Sequence, residues 1–133
     1  VPIDLIKQVF FYVITDGTFS DNYGQLTEKI PKGLCTMPSI NLGQIGALRR
    51  CRELGFKTFP DMFDESYDEM EDCYERFKSV TSQTKYLCTL DYNELHKKYI
   101  KSFENVLYNQ EILVKSKDNT YKDERDKILN EDI

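Results

Sequence analysis

Residues 26–72 of the 133-residue chain read LTEKIPKGLCTMPSINLGQIGALRRCRELGFKTFPDMFDESYDEMED and carry the pattern that decides the fold. A helix start at Thr27–Lys29 leads to a short apolar run at residues 38–42. Residues 44–54 are then predicted as a helix, residues 56–59 as an extended segment, and the acidic residues after them as the start of another helix. Helices and strands alternate in this order, which is typical of an α/β unit with a parallel sheet.

A second apolar run lies before this stretch, at residues 9–14 (VFFYVI). It is almost continuously apolar and rich in β-branched and aromatic residues, which fits a strand buried on both faces of a parallel sheet. The turn-rich residues 15–24 (TDGTFSDNYG) follow this strand. Ligands of open α/β sheets bind beyond the carboxyl ends of the strands, so this loop is predicted to line a binding site.

The predicted helix at residues 44–54 has one apolar stripe, formed by Ile45, Leu48, Cys51 and Leu54. Gly55 is predicted to end this helix in a left-handed conformation. A basic face is formed by Arg49, Arg50, Arg52 and Lys57. We interpret it as a solvated helix face paired with Glu53, with phosphate or partner binding as the alternative.

Two further helices are predicted after the acidic segment. Ser66–Glu69 matches a capping box for a helix that continues to about Leu87, and Asp91–Glu94 matches a second box for a long helix. The two helices are predicted to form a hairpin. The chain is thus divided into one domain, residues 1–114, and a charged tail, residues 115–133, that is expected to fray.

The composition describes a mildly acidic chain, with 31% charged residues and a formal net charge of -5. This balance argues against a nucleic-acid partner, which would require a basic surface. No apolar run approaches the roughly 20 residues of a membrane helix, so no membrane span is predicted. The four cysteines lack C-x-x-C spacing and only one histidine is present. Neither a disulfide nor a zinc site is therefore predicted, and the chain is assigned to a reducing compartment.

The segment 61–75 contains eight acidic residues and suggests a cation site. It lacks the glycine and the ligand spacing of a calcium loop, and most of its carboxylates fall in the first turns of a predicted helix. Asp64, Ser66 and Asp68 are therefore predicted to fix the loop and cap the helix, and no metal or cofactor is predicted. His96 is predicted to lie at the surface without a catalytic role.

The sequence contains the following blocks in this order: Thr27-Glu28-Lys29, Pro38, Gly43, Leu54-Gly55-Phe56-Lys57-Thr58-Phe59 and Asp64-Glu65-Ser66-Tyr67-Asp68. Together they resemble the C-terminal part of a glycosyltransferase-like family of phages, large viruses and bacteria that is related to the fucosyltransferases. The resemblance extends from about Phe10 to about Leu113, and its most specific part is GFKTF followed by DESYD. It implies a Rossmann-like half domain with a small parallel sheet that binds a nucleotide-sugar donor of the GDP-sugar type.

The resemblance implies a role for each residue of the Thr-Glu-Lys triplet. Lys29 would face the diphosphate, Glu28 would accept the ribose hydroxyls, and Thr27 would stand at the helix start. Independently of the family, a helix N-terminus presents free amides and a positive dipole end to phosphate, and a lysine adds charge. A solvated Glu-Lys pair on an exposed helix turn is the alternative interpretation.

The loop after the first strand is expected to supply the opposite wall of the same pocket. Its candidate residues are Thr15, Asp16 and Tyr23, with Tyr23 stacking on the ligand or contacting phosphate. A purely structural loop explains the same residues equally well.

The function implied by the resemblance is donor binding without catalysis by this chain alone. Transferases of this architecture use a second Rossmann-type domain to bind the acceptor and supply the general base, and we expect hexosyl or fucosyl transfer only with such an N-terminal domain or another subunit. Because the chain begins with Val1, we expect it to be a processed product or a piece of a longer polypeptide. The alternative is a non-catalytic structural or interaction protein of a viral or phage assembly. The expected location is cytoplasmic or virion-associated.

Overall fold

The computed structural model describes residues 9–16 and 27–131, with the exception of the side chains of residues 117–129 and 131. These ranges form a mixed α/β fold of four α-helices, one 3-10 helix and a two-stranded sheet. In chain order the elements are β1 (Tyr12–Thr15), α1 (Lys29–Leu34), β2 (Ser39–Leu42), α2 (Ala47–Glu53), the 3-10 helix (Glu65–Glu69), α3 (Cys73–Thr89) and α4 (Tyr92–Glu131). The predicted α/β class is confirmed.

The two strands are parallel, and α1 connects them. Tyr12–Thr15 pairs in register with Ser39–Leu42. The helix packs so closely on the sheet at Gly33 that a Cβ atom there would clash with the side chain of Ile14. The predicted parallel sheet is therefore present, and both strands end at the same edge of the sheet.

The first strand is shorter and more exposed than predicted. The sequence predicted a strand over residues 9–14 that is buried on both faces, but β1 covers Tyr12–Thr15 and Val13 is 46% exposed. The second strand agrees better, since all four residues of β2 are buried. A continuous apolar run predicts that both faces of a strand are covered. Among the described residues, Val13 and Thr15 are exposed on one face of β1, so that face is open.

The helix predicted over residues 44–54 is present but begins later, at Ala47. Gly46 adopts a left-handed conformation, with φ 73°, and so separates the helix from the turn before it. At the other end, Gly55 is left-handed as predicted, with φ 95°. Its N–H donates to Arg52 O at 3.0 Å and the next N–H, of Phe56, donates to Cys51 O at 3.1 Å. These two bonds form a Schellman motif.

Residues 56–59, predicted as an extended segment, have no regular secondary structure and do not form a strand of the sheet. Asn109 of α4 takes the place of a neighbouring strand. Its Oδ1 accepts from Lys57 N at 2.7 Å, and its Nδ2 donates to Lys57 O at 2.8 Å. Asn105, one helical turn earlier, donates to Thr58 O at 2.9 Å. Two side-chain amides therefore satisfy backbone groups that a sheet would otherwise pair.

The long helices begin at acidic caps. The predicted cap at Ser66 is wrong, because the backbone leaves helical geometry at Met70 and α3 starts only at Cys73. Asp72 caps it by accepting from Tyr74 N at 2.7 Å. The second predicted cap is correct, since Asp91 accepts from Glu94 N at 2.8 Å.

The helix that follows Asp91, α4, is longer than predicted. It runs through 40 residues to Glu131, so no break in the backbone marks the predicted boundary between residues 114 and 115. Within the described ranges, no helix is both long enough and apolar enough to span a membrane. The predicted division into domain and tail, and the predicted hairpin, stay predictions.

The hydrophobic core is formed by side chains from the sheet, the helices and the loop after Gly55. Its largest members include Ile30, Leu34, Ile40, Leu48, Phe59, Tyr67, Leu87 and Val106. Two of the four cysteines, Cys35 and Cys51, are buried, whereas Cys88 is exposed, and none forms a disulfide. Cysteines of this kind act as small apolar side chains in a core.

Replacing Asn109 with leucine should destabilise the fold strongly. The change removes the partners of the N–H and C=O of Lys57 and of the carbonyl of Leu34, which accepts from Asn109 Nδ2 at 3.0 Å. A buried polar group without a partner costs about 1–3 kcal/mol, so we expect a loss of about 3 kcal/mol in the free energy of unfolding measured in urea. Gln110→Leu is the control, because exposed Gln110 makes one bond, to Cys35 O at 2.9 Å. An equal loss in both variants would contradict the role assigned to Asn109.

Candidate functional site

The predicted site residues that the structure describes lie where the two strands end and α1 begins. Asp16 follows β1 and continues the ladder, with its N–H donating to Leu42 O at 2.9 Å. Its side chain is buried, at 4% exposure, and its Oδ1 accepts from Thr27 Oγ1 at 2.7 Å. Two residues predicted on opposite walls of a pocket are therefore in direct contact. Thr15, at the end of β1, is exposed.

Gly43 allows this edge of the sheet to be closely packed. It follows β2 directly, and a Cβ atom at this position would lie 3.2 Å from Ile30 Cδ1 and 3.7 Å from Asp16 Cβ. The first of these distances is shorter than an ordinary van der Waals contact, so a side chain at residue 43 would push against α1. The glycine quoted in the family resemblance thus has a packing role next to the candidate site.

Glu28 and Lys29 differ from their neighbours because their side chains are exposed. Glu28 stands at the N-cap position of α1 but makes no side-chain cap bond. Neither its carboxylate nor the Lys29 ammonium group forms an ion pair within the described ranges. The helix has 6 residues, fewer than two turns, so its dipole is small and Lys29 is the main positive charge at its start.

The last predicted site residue, Tyr23, lies outside the described residues. The structure divides the other five candidates into two kinds. Asp16 and Thr27 are hydrogen-bonded to each other, whereas the side chains of Thr15, Glu28 and Lys29 are exposed among the described residues. Among the side chains that the structure describes, no group of three or more histidine, cysteine or acidic residues could hold a metal ion.

The acidic part of the DESYD block is used inside the fold. Asp64 accepts from Ser66 N at 3.0 Å and so caps the 3-10 helix. Glu65 accepts from Thr58 Oγ1 at 2.7 Å and from Phe59 N at 3.1 Å. These carboxylates fix loops, as the sequence predicted for Asp64.

Asp68 caps α2 rather than its own helix. Its two carboxylate oxygens accept from Leu48 N at 2.8 Å and from Arg49 N at 3.0 Å. Its backbone carbonyl accepts from Gly46 N at 2.7 Å. The N-terminus of α2 is therefore already occupied by an internal anion, and the candidate site is restricted to the start of α1.

Burial controls the electrostatics of this block. Desolvation raises the pKa of the Asp68 carboxyl, against the opposing effect of the Leu48 and Arg49 amides. Desolvation also raises the pKa of Glu65, which the hydroxyl of Thr58 partly offsets. Exposed Asp64 behaves in the opposite way, because the Ser66 amide lowers its pKa. The pKa values of Asp68 and Glu65 are raised by the burial of carboxylates that cap a helix and fix a loop, so they do not identify a catalytic acid here.

The three arginines of the predicted basic face pair with neighbouring carboxylates. Arg50 pairs with Glu53 at 3.1 Å, and Arg49 pairs with Glu69 at 3.0 Å. Lys57 lies over the ring of Tyr108, 4.2 Å from its centroid. The predicted interpretation of a solvated face paired with Glu53 agrees with these contacts.

His96 is less exposed than predicted. It is half-buried and stacks on Tyr92, with ring centroids 5.6 Å apart, and Phe10 meets it edge-on at 5.8 Å. Tyr99 completes this aromatic group. Tyr92, His96 and Tyr99 share one face of α4 by their spacing, but the contact with Phe10 requires the tertiary fold.

A cavity of about 470 Å³ lies away from the predicted residues, along α4. The described residues that line it are Leu107, Gln110, Glu111, Val114 and Lys115. Its lining is mostly apolar and belongs to one helix. It therefore offers no set of converging polar groups that would bind a nucleotide.

Comparison with known proteins adds no family assignment. No protein-family model matches the chain, and neither the curated proteins nor the solved structures contain a match.

The raised pKa of Asp68 predicts an unusual dependence of stability on pH. The folded state holds the Asp68 proton more tightly than the unfolded state, in which the pKa of this carboxyl is near 3.8. The contribution of this group to the free energy of unfolding therefore falls as pH rises from 3.8 through the folded pKa. Asp68→Asn removes this titration, so the stability advantage of the wild type over the variant should shrink across that window in urea unfolding.

Asp64→Asn is the matched control, with the opposite sign. In the folded wild type the pKa of the Asp64 carboxyl is lowered from 3.8. Its contribution to the free energy of unfolding is therefore present above pH 3.8 and is lost as pH falls through the folded pKa. Parallel pH profiles for the two variants would contradict the assignment of Asp68 as a desolvated cap.

Proposed function

We propose that this chain is the donor-binding, Rossmann-like part of a glycosyltransferase-like protein and binds a nucleotide sugar of the GDP-sugar type. The observation that carries the proposal is the pair of exposed charges at the start of α1, Glu28 and Lys29, neither of which forms an ion pair with another described residue. The start of α1 is tied by Thr27 to the carboxyl end of a parallel strand. In α/β proteins, that edge of the sheet is where nucleotides bind.

The two exposed side chains have the chemistry that a nucleoside diphosphate requires. An ammonium group is a point charge suited to phosphate oxygens, and Lys29 would supply it to the diphosphate. A carboxylate accepts two hydrogen bonds at once, and Glu28 would accept them from the ribose hydroxyls. The resemblance of the Thr-Glu-Lys, GFKTF and DESYD blocks to the fucosyltransferase-related family supports the same assignment.

The proposed activity is binding, not transfer by this chain alone. Transfer of a hexosyl or fucosyl group requires an acceptor held in line with the donor, and orientation accounts for a large part of the rate. We assign acceptor binding and the general base to an N-terminal domain or another subunit.

A second candidate is a non-catalytic interaction protein of a viral or phage assembly. It is favoured by α4, on which three apolar side chains at seven-residue spacing are exposed: Ile100 at 54%, Leu107 at 50% and Val114 at 57%. Exposed apolar side chains grouped along one element are typical of surfaces that contact other proteins. The nucleotide experiment below separates the two candidates.

GDP should stabilise the purified chain against thermal unfolding. A ligand at about 100 times its dissociation constant adds about 2.7 kcal/mol to the free energy of unfolding. Lys29→Ala should abolish this gain, because it removes the charge that would face the diphosphate. The measurement is a thermal melt with and without millimolar GDP, UDP or a GDP-sugar.

Lys32→Ala is the matched control for this experiment, because Lys32 is also exposed and lies in the same short helix. It should keep the full ligand-induced gain. Absence of any gain with all three ligands in the wild type would reject the donor-binding function and favour the interaction protein.

A further inference from the structure

A hydrogen bond joins Asp16, the residue after β1, to Thr27, two residues before α1. The donor and acceptor atoms, Thr27 Oγ1 and Asp16 Oδ1, are 2.7 Å apart. Asp16 is in turn fixed to the sheet, because its N–H donates to Leu42 O at 2.9 Å. The position of Thr27 is therefore set by the carboxyl end of the sheet.

The burial of Asp16 argues against direct contact with a ligand. The residue is 4% exposed, its Oδ1 accepts from Thr27, and it makes a further interaction within the chain. Its carboxylate would have to lose at least the Thr27 bond to reach a ribose or a phosphate, and losing a charge-assisted bond in a buried position is costly.

Lys29 depends on the same bond through a short stretch of backbone. It lies two residues after Thr27 and opens α1, and its side chain is exposed. The same short helix is packed on the sheet at Gly33 and against Gly43 through Ile30. A helix of 6 residues has few internal bonds, so its start needs an external anchor.

We propose that Asp16 and Thr27 are positioning residues, which hold Lys29 where it meets the β-phosphate, and are not themselves ligands of the nucleotide. This inference rests on the proposed function and assigns different roles within one site. Glu28 and Lys29 bind the nucleotide, and the buried pair determines whether Lys29 reaches the diphosphate.

The test compares the affinities of GDP and GMP for the purified chain by calorimetric titration. GMP lacks the β-phosphate, so the ratio of the two affinities reports the contact made by Lys29. The wild type should bind GDP about tenfold more tightly than GMP, the effect of one hydrogen bond between charged groups. Lys29→Ala should bring the ratio close to one while GMP still binds.

Thr27→Val keeps the shape of the side chain and removes the hydroxyl. It should lower the ratio as Lys29→Ala does, although Lys29 is intact. Thr27→Ser keeps the hydroxyl and should keep the wild-type ratio. If the valine variant does not fold, Thr27→Ala tests the same loss with a smaller side chain.

The matched control is Thr84→Val on α3, which removes a threonine hydroxyl that donates to Val80 O at 2.8 Å. It should lower the melting temperature slightly and leave the ratio unchanged, so a change in stability alone does not imitate a positioning effect.

Each outcome separates the inference from the proposed function. A wild type that binds neither nucleotide, or binds both equally, overturns the proposed function and this inference with it. A ratio that is lost in Lys29→Ala but kept in Thr27→Val and Thr27→Ala overturns the positioning role alone. A ratio lost equally in Thr27→Ser and Thr27→Val also overturns it, because the hydroxyl would then not be the group responsible.

Discussion

The fold depends on the contact between Asp68 and the start of α2. The N-cap residue of that helix is Gly46, which has no side chain to accept from the first amides. The carboxylate of Asp68 supplies the missing acceptors for Leu48 and Arg49. The neighbouring Tyr67 extends the link, since its hydroxyl accepts from Asn41 N at 3.0 Å on the outer edge of β2. One short 3-10 helix thus holds the helix and the strand in place, and most of the DESYD block has a structural role.

Local signals predicted the elements whose ends are determined by neighbouring residues. Gly55 ends α2 through its own left-handed conformation, its own amide and the amide of Phe56, and Asp91 starts α4 through an amide three residues later. Local signals did not predict helix caps that come from distant parts of the chain. Ser66 matched a local capping box, but the acceptors at this point of the fold are Asp64 for the 3-10 helix and Asp68 for α2. Periodicity cannot reveal a cap that comes from 20 residues away.

In the candidate site, too, the sequence predicted the residues but not the contacts that depend on the tertiary fold. The sequence predicted six residues of one site, and the structure brings two of them, Asp16 and Thr27, into contact. The sequence did not predict that these two residues are hydrogen-bonded to each other, because a bond across 11 residues depends on where the strand ends. Burial, which determines whether a polar side chain is available to a ligand, emerges only from the packing of α1 on the sheet.

The hydrogen bonds of the Asn109 side chain to the backbone have a consequence for folding during synthesis on the ribosome. The side-chain amide joins backbone groups 52 and 75 residues earlier in the chain, and these contacts have high sequence separation. A nascent chain that ends after α3 contains both strands and the core of α1 and α2, yet the backbone of residues 56–59 lacks the amides of Asn105 and Asn109. Folding of this chain is therefore expected to finish only after α4 has emerged. Until then the backbone N–H and C=O groups of residues 56–59 that bind these amides have no partner there, and a chaperone or a neighbouring nascent chain can bind them.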